Sequence, residues 1–250
     1  MKRVVCLFSH CDDEYLVSEH LQKWRKDGHD IKIFYLTKDL TNPGIREQES
    51  TRYLQKLGIK EPNFLYHTVD VKDGRLPYHL FEVYRELQNY LQPDDILLTP
   101  AWEGGHQDHD ATFLIGSKLC ESLSKSQHWV FSLYHGARTS GRFFSVASPI
   151  VDHIMECHSI KMSSLSSLLN CILVFKRYPS QWRSWIGLAP LLLWERLFKT
   201  HEHIFRIKDF VILHRPHLGE LLYERYQRMT WIDFLEQKKR FLSDNQQSAV

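Results

Sequence analysis

The sequence predicts an α/β fold: a Rossmann-like, mostly parallel sheet with helices on both faces and a C-terminal helical extension. Three observations carry this. Short apolar runs alternate with stretches of helical periodicity over residues 1–135. The runs are continuous rather than alternating, as in strands buried on both faces. The helical stretches are closed by Gly28, Gly58 and Pro93, residues that end helices. Strand–helix alternation of this kind gives a parallel sheet, with 3-2-1-4-5 as the expected strand order.

Residues 4–8, Val-Val-Cys-Leu-Phe, form the first expected strand. Tyr15, Leu16, His20, Leu21 and Trp24 then share one helical face. Residues 31–36 are a second strand, and 45–57 a second helix. Residues 64–66 are a weak third strand, followed by helical spacing over 78–91. Residues 96–99 give a fourth strand, 110–123 a fourth helix and 129–134 a fifth strand. Beyond residue 136 the pattern thins. Residues 151–162 and 165–175 each fit a helix or a strand. Residues 181–199 read as a helix broken or kinked at Pro190. Residues 202–207 and 210–213 are short strand candidates, 218–242 one helix or two, and 236–250 reads as a frayed, functionally silent tail. No repeat or linker divides the chain, so one domain is expected over 1–250, with 1–135 as its core and 136–250 completing it.

Composition narrows the function classes. The 250 residues carry 32 Lys+Arg against 30 Asp+Glu, with 43% hydrophobic and 13% aromatic residues, which excludes a disordered chain. Residues 1–160 have a net charge of −4 and residues 161–250 of +6; the basic part is too weakly charged to indicate nucleic acid. The five cysteines are odd in number and irregularly spaced, which points to reduced thiols and a cytoplasmic location, or one peripheral to a membrane. The longest apolar segment, 186–194, falls far short of the ~20 residues of a membrane span, and no signal-peptide core follows Met1.

Two loops carry the chemistry. His10-Cys11-Asp12-Asp13-Glu14 follows the first strand and opens a helix. Acids there suit helix capping. They also lie at the carboxyl edge of the sheet, where open α/β sheets bind ligands, and a divalent cation relieves the repulsion between them. Trp102-Glu103-Gly104-Gly105-His106-Gln107-Asp108-His109-Asp110 follows the fourth strand. Its glycines let the backbone turn tightly and approach a ligand. If strands one and four are neighbours, the two loops face one crevice. Two His and a carboxylate then make a catalytic zinc set with a position open to water, and a remaining Asp serves as base. A nucleotide-binding module is disfavoured, because the first loop has no glycine and three acids. A metal-dependent phosphohydrolase is an alternative that needs further carboxylate ligands.

The residues also carry a resemblance. His10 to Glu14 resembles the HPDDE motif of the LmbE-like / PIG-L N-deacetylases, and His106-Gln107-Asp108-His109 their HPDH motif. Arg46…Glu49…Leu57-Gly58 is similar to their R-x-x-E…LG helix, Asp73-Gly74-Arg75-Leu76 to their D-G-x-L turn, and Tyr178-Pro179-Ser180-Gln181 to their Y-x-S-Q segment. The likeness runs over residues 3–207, and the first two motifs are the specific ones. Cys11 and Gln107 stand where the family has Pro; neither departure removes a ligand. Cys11 puts a thiol near the site, read as structural rather than nucleophilic.

The resemblance implies a Rossmann-like fold and a mononuclear zinc amidase, with another divalent cation as the alternative to Zn2+, that removes N-acetyl from an amino sugar or glycoconjugate. It implies His10, Asp13 and His109 as zinc ligands and Asp12 as general base. His106 would be the acid or the oxyanion-stabilising group, and Asp108 would orient a His. Arg46 and Asp73 would hold substrate hydroxyls; the competing reading of Arg46 is a solvated pair with Glu49, three residues on. Glu14 is read as serving the helix turn. Some relatives carry a Tyr ahead of the second motif; Gly104 and Gly105 occupy that stretch here, and no catalytic Tyr is assigned. The implied partner is a small-molecule or glycolipid-type N-acetylated sugar, with a thiol-conjugated glycoside as another amide substrate for the same scaffold. Residues 182–199, with Trp182, Trp185 and Trp194 among Arg183, Arg196 and Lys199, read either as an amphipathic helix on the core or as an interfacial face or lid at a membrane. No feature sets an oligomeric state.

Overall fold

Five apolar runs lie side by side as parallel strands: β1 (Arg3–Phe8), β2 (Asp30–Tyr35), β3 (Asn63–Phe64), β4 (Ile96–Pro100) and β5 (Gln127–Phe131). Their order is β3-β2-β1-β4-β5, as the alternation predicts. The computed structural model describes all residues except 1, 42–43, 124–125, 142, 151–153, 200, 208–213 and 244–250. In β1, Val4, Cys6 and Phe8 face one core and Val5 and Leu7 the other. Both faces are buried, which is why the run is continuously apolar. Helices α1 (Ser18–Lys26) and α2 (Ile45–Lys56) cover the first face through Leu21, Tyr53 and Leu54. Helices α3 (Leu80–Gln88) and α4 (Gln107–Ser122) cover the second through Val83, Leu87, Leu114 and Ile115.

The chain then forms a small antiparallel pair, β6 (Tyr134–His135) with β7 (Ser145–Val146), so the fifth parallel strand ends at Phe131 rather than running on to Tyr134. β8 (Ile154–Lys161), α5 (Ser164–Arg177), α6 (Trp182–Lys199), β9 (His201–Ile207), α7 (Leu222–Arg225) and α8 (Trp231–Ser243) follow. The ambiguous stretch at 151–162 is therefore a strand in its described part, and 165–175 a helix. β9 pairs antiparallel with β5, and β8 antiparallel with β9, so the C-terminal part extends the sheet as well as adding helices. The segment 218–242 holds two helices. The tail expected to fray from 236 is instead helical as far as Ser243, with Phe241 buried; the strand candidate at 210–213 and residues 244–250 lie outside the described residues. All five cysteines are free thiols.

Candidate active site

β1 and β4 are neighbours, so the loops leaving their carboxyl ends meet. Ser9, the first residue after β1, joins them: its Oγ donates to the Asp108 carbonyl (3.1 Å) and shares a hydrogen bond with Thr112 Oγ1 (2.7 Å). The chain then turns sharply at Asp12, whose φ of 107° is left-handed, a conformation that costs a non-glycine residue roughly 1–2 kcal/mol. Glu14 holds the turn. Its Oε2 accepts the Asp12 N–H (2.9 Å), and its Oε1 accepts the Tyr178 hydroxyl (2.7 Å). Both its oxygens are thus spent on structure. The first helix consequently begins as a 3-10 turn, Asp13–Val17.

Three donor atoms converge at the floor of this crevice. His10 Nδ1 lies 3.2 Å from His109 Nε2. Asp13 places Oδ1 3.3 Å from His109 Nε2 and Oδ2 3.9 Å from His10 Nδ1. Four ligands at the zinc distances for nitrogen and oxygen stand about 3.3 Å apart on a tetrahedron, so these residues fit a small divalent ion. Burial alone would raise the Asp13 carboxyl, but facing His109 and His10 pull it below its ordinary value. A second group, His10, Asp73, His106 and Asp108, is also close enough to hold a cation. Its chemistry argues for support instead. Asp108 is fully buried and accepts the N–H groups of Gly74 (2.6 Å) and Leu76 (3.1 Å). Its Oδ2 faces His10 Nε2 at 3.2 Å, and Asp73 Oδ1 faces the same nitrogen at 3.3 Å. The two carboxylates favour a proton on Nε2 and leave Nδ1 facing His109 and Asp13. The 73–76 turn is thereby pinned to the second loop, which is what brings Asp73 into the site.

His106 caps α4, with Nδ1 accepting the Asp108 N–H at 3.2 Å. In the neutral ring its proton is then on Nε2, 3.7 Å from Asp73 Oδ1. Burial, and the neighbouring His10 and His109, push its pKa well below the ordinary value, which favours that neutral form. Asp12 lines the cleft. Burial pushes its carboxyl well above the usual range, with Arg46 opposing and Asp13 and Glu14 adding. Cys11 is buried, and burial, with Glu14 and Asp12, pushes its thiol pKa well up; a protonated thiol is no nucleophile.

The solvated Arg46–Glu49 pair is not what forms. Arg46 Nε lies 3.0 Å from Asp39 Oδ2, and its Nη2 donates to Gln181 Oε1. Glu49 accepts the Ser180 hydroxyl (2.6 Å) and its N–H (3.0 Å). The segment 178–181 thus docks on α2 and on Glu14. The glycines of the second loop do approach something closely, but it is the protein's own chain rather than a ligand. A Cβ on Gly105 would overlap the Tyr134 carbonyl oxygen, and one on Gly104, at φ 69°, would lie 2.6 Å from Leu221 Cδ2. The turn is tied down by Asp110 Oδ1, which accepts the N–H groups of Glu103 and Gly104 at 3.1 Å each.

Residues 5–120 match the family described as PIG-L: GlcNAc-PI de-N-acetylase. This region belongs to the PIG-L family. The eight site residues from His10 to His109 all lie within the PIG-L region, whereas the 178–181 segment lies beyond it. No curated protein sequence matches the chain. Among solved structures, the zinc-inhibited form of teicoplanin deacetylase Orf2 is 13% identical with a TM-score of 0.60, covering 85% of this chain and 100% of that one. The conserved protein TT1542 from Thermus thermophilus is 16% identical (TM-score 0.58; 88% and 100% covered). The N,N'-diacetylchitobiose deacetylase from Pyrococcus horikoshii is 19% identical (TM-score 0.57; 82% and 84% covered). At these identities the likeness establishes a shared fold.

The cleft of the PIG-L region has a volume of about 220 Å³ and takes part of its wall from later residues: Leu133, Tyr134, Gln181, Trp185, Leu188 and Arg228. Tyr134 packs its ring against His109, with centroids 5.5 Å apart. Sequence reasoning missed Tyr134 and Arg228. Tyr134 sits in the two-residue β6, too short for a periodic signal, and Arg228 follows a four-residue helix.

Proposed function

We propose that the protein removes an N-acyl group, acetyl foremost, from an amino sugar or glycoconjugate, using one zinc or similar divalent ion held by His10, Asp13 and His109. The observation that carries this reading is the convergence of His10 Nδ1, Asp13 and His109 Nε2 at the floor of a cleft that also presents Asp12, His106 and Asp73. The bound ion supplies a Lewis acid that makes water nucleophilic near neutral pH and polarises the amide carbonyl.

The chain's own groups supply the rest. Asp12, whose carboxyl pKa burial raises, accepts the proton of the attacking water and returns it to the amine as the C–N bond breaks, giving acetate and the free amino sugar. His106 donates from Nε2 to the carbonyl oxygen as negative charge develops there, a contribution worth ~3 kcal/mol for a well-placed donor. Asp108 and Asp73 hold the His10 ring in one tautomer and orientation. Arg46, anchored by Asp39 and Gln181 at the cleft wall, and Asp73 bind sugar hydroxyls.

The test is metal content per chain in wild type and His109→Ala, followed by a screen of N-acetylated amino sugars for acetate release. About one ion per wild-type chain, lost in the variant, together with acetate release supports the reading. No metal uptake by wild type, or phosphate release from phosphorylated sugars in place of acetate, overturns it.

A further inference from the structure

We infer that helices α5 and α6 form a docking face for an anionic lipid bilayer. The two helices pack on each other and on the core through Cys171, Val174, Trp185, Ala189 and Leu192. A surface helix with one such buried stripe ordinarily carries a polar opposite face; these do not. On α5, Leu165 (66% exposed), Leu169 and Ile172 follow a helical stripe in solvent. On α6, Trp182, Ile186, Trp194 (65% exposed) and Phe198 (68% exposed) do the same. An apolar surface of this extent on a folded protein marks an interaction site.

Charge selects the occupant. Residues 164–199 hold five basic residues and one acid, Glu195; of the basic ones Arg196 is buried and paired with Glu202 at 3.5 Å, so it adds no charge to the face. Lys176 and Arg183 are exposed, whereas Glu195 is half-buried. The Arg183 guanidinium lies 5.4 Å from the centre of the Trp182 ring, so a cationic head sits beside an amphipathic ring. This is the composition of a face that rests at the headgroup boundary and is drawn to anionic lipid. A second copy of the chain would oppose the same positive charge to itself across a two-fold interface, so self-association is the less favoured cover. Among the described residues no helix is long and apolar enough to cross a membrane, so the face rests on the bilayer. Ser184, Trp185 and Leu188 of α6 also line the cleft. On the deacetylase reading, docking would set the cleft mouth beside lipid-anchored substrate; the docking itself does not depend on that reading.

The test uses the intact protein and no activity readout. Vesicles of phosphatidylcholine alone, or with phosphatidylserine added, are sedimented with wild type and with the double variant Ile186→Glu/Trp194→Glu. Wild type is expected to sediment with the anionic vesicles, to bind neutral ones less, and to be released by high salt. The variant should bind at least about tenfold more weakly, since two exposed apolar side chains are replaced by charge, with an unchanged melting temperature. Arg183→Gln provides a gentler second variant that should weaken anionic binding alone. Wild type left in the supernatant of anionic vesicles overturns the inference, as does equal binding to neutral vesicles. A wild-type dimer in light scattering that the double variant converts to monomer, without vesicle binding, assigns the face to a second copy and also overturns it.

Discussion

Asp12 and Asp13 are adjacent in the chain, but their pKa values are shifted in opposite directions. Asp13 faces two imidazoles, which lower its pKa despite burial; Asp12 is raised by burial and by its acidic neighbours. On the proposed reading one environment suits a metal ligand and the other a proton acceptor, a division of labour set by surroundings rather than residue type. Asp12→Asn is expected to keep one metal ion per chain while kcat falls by about 10²–10⁴-fold; wild-type kcat in that variant would sink the assignment of the base. Away from the site, His128 hydrogen-bonds Thr99 Oγ1 (2.8 Å) and Ser117 Oγ (3.3 Å), and burial pushes its pKa down to about 3 from an ordinary 6.5. Below pH 6.5 the unfolded chain takes up a proton that the folded chain refuses. His128 therefore costs stability as pH falls from there toward 3, by about 1.4 kcal/mol per pH unit. Urea unfolding at pH 7, 5 and 4 checks this: His128→Asn should show a shallower acid loss than wild type, and identical slopes refute it.

At the scale of elements, the site is a meeting of loops, and the motifs that look separate in sequence are partners. The segment 178–181 satisfies Glu14, Arg46 and Glu49 in turn, so the 3-10 turn, α2 and the start of α6 form one scaffold. Ser180→Ala removes one of the two hydrogen bonds to Glu49, at a cost of about 1–2 kcal/mol in stability, and loosens the neighbouring Gln181 that anchors Arg46. KM should rise more than kcat falls; a change in kcat alone would contradict a role in substrate binding. Gly105→Ala is expected to lose more than about 2 kcal/mol, because the loop after β4 cannot move off the Tyr134 carbonyl without breaking the Asp110 bonds; thermal melting measures it. The glycine pair was legible as a close approach, but its partners, Tyr134 and Leu221, are long-range contacts that local pattern does not encode. The same holds for Glu49, whose nearest opposite charge in sequence is Arg46 but whose partner in space is Ser180.

For the molecule as a whole, the order of the five parallel strands was legible because each is buried on both faces and reads as an unbroken apolar run. β8 was not, since its burial is shallow and irregular along an outer edge of the sheet, which leaves neither a continuous run nor a clean alternation. On the proposed reading an ion held by His10, Asp13 and His109 joins the loops after β1 and β4, so its binding should be felt globally. A free ion concentration about 100-fold above Kd stabilises the fold by ~2.7 kcal/mol, and stripping it with a chelator should lower Tm by roughly 5–10 °C in a chain of this size; an unchanged Tm would argue against a tightly held ion. The antiparallel pairing of β9 with β5 has a consequence for synthesis on the ribosome. The parallel strands are complete at Phe131, but the strand that covers the β5 edge begins only at His201. At 5–20 residues per second the intervening stretch takes on the order of 4–14 s to make. Throughout that interval the nascent chain carries the bare hydrogen-bonding edge of β5, a template for pairing with another chain. A chain stopped at residue 135 is therefore expected to be a client of chaperones and to aggregate, where the finished protein does not.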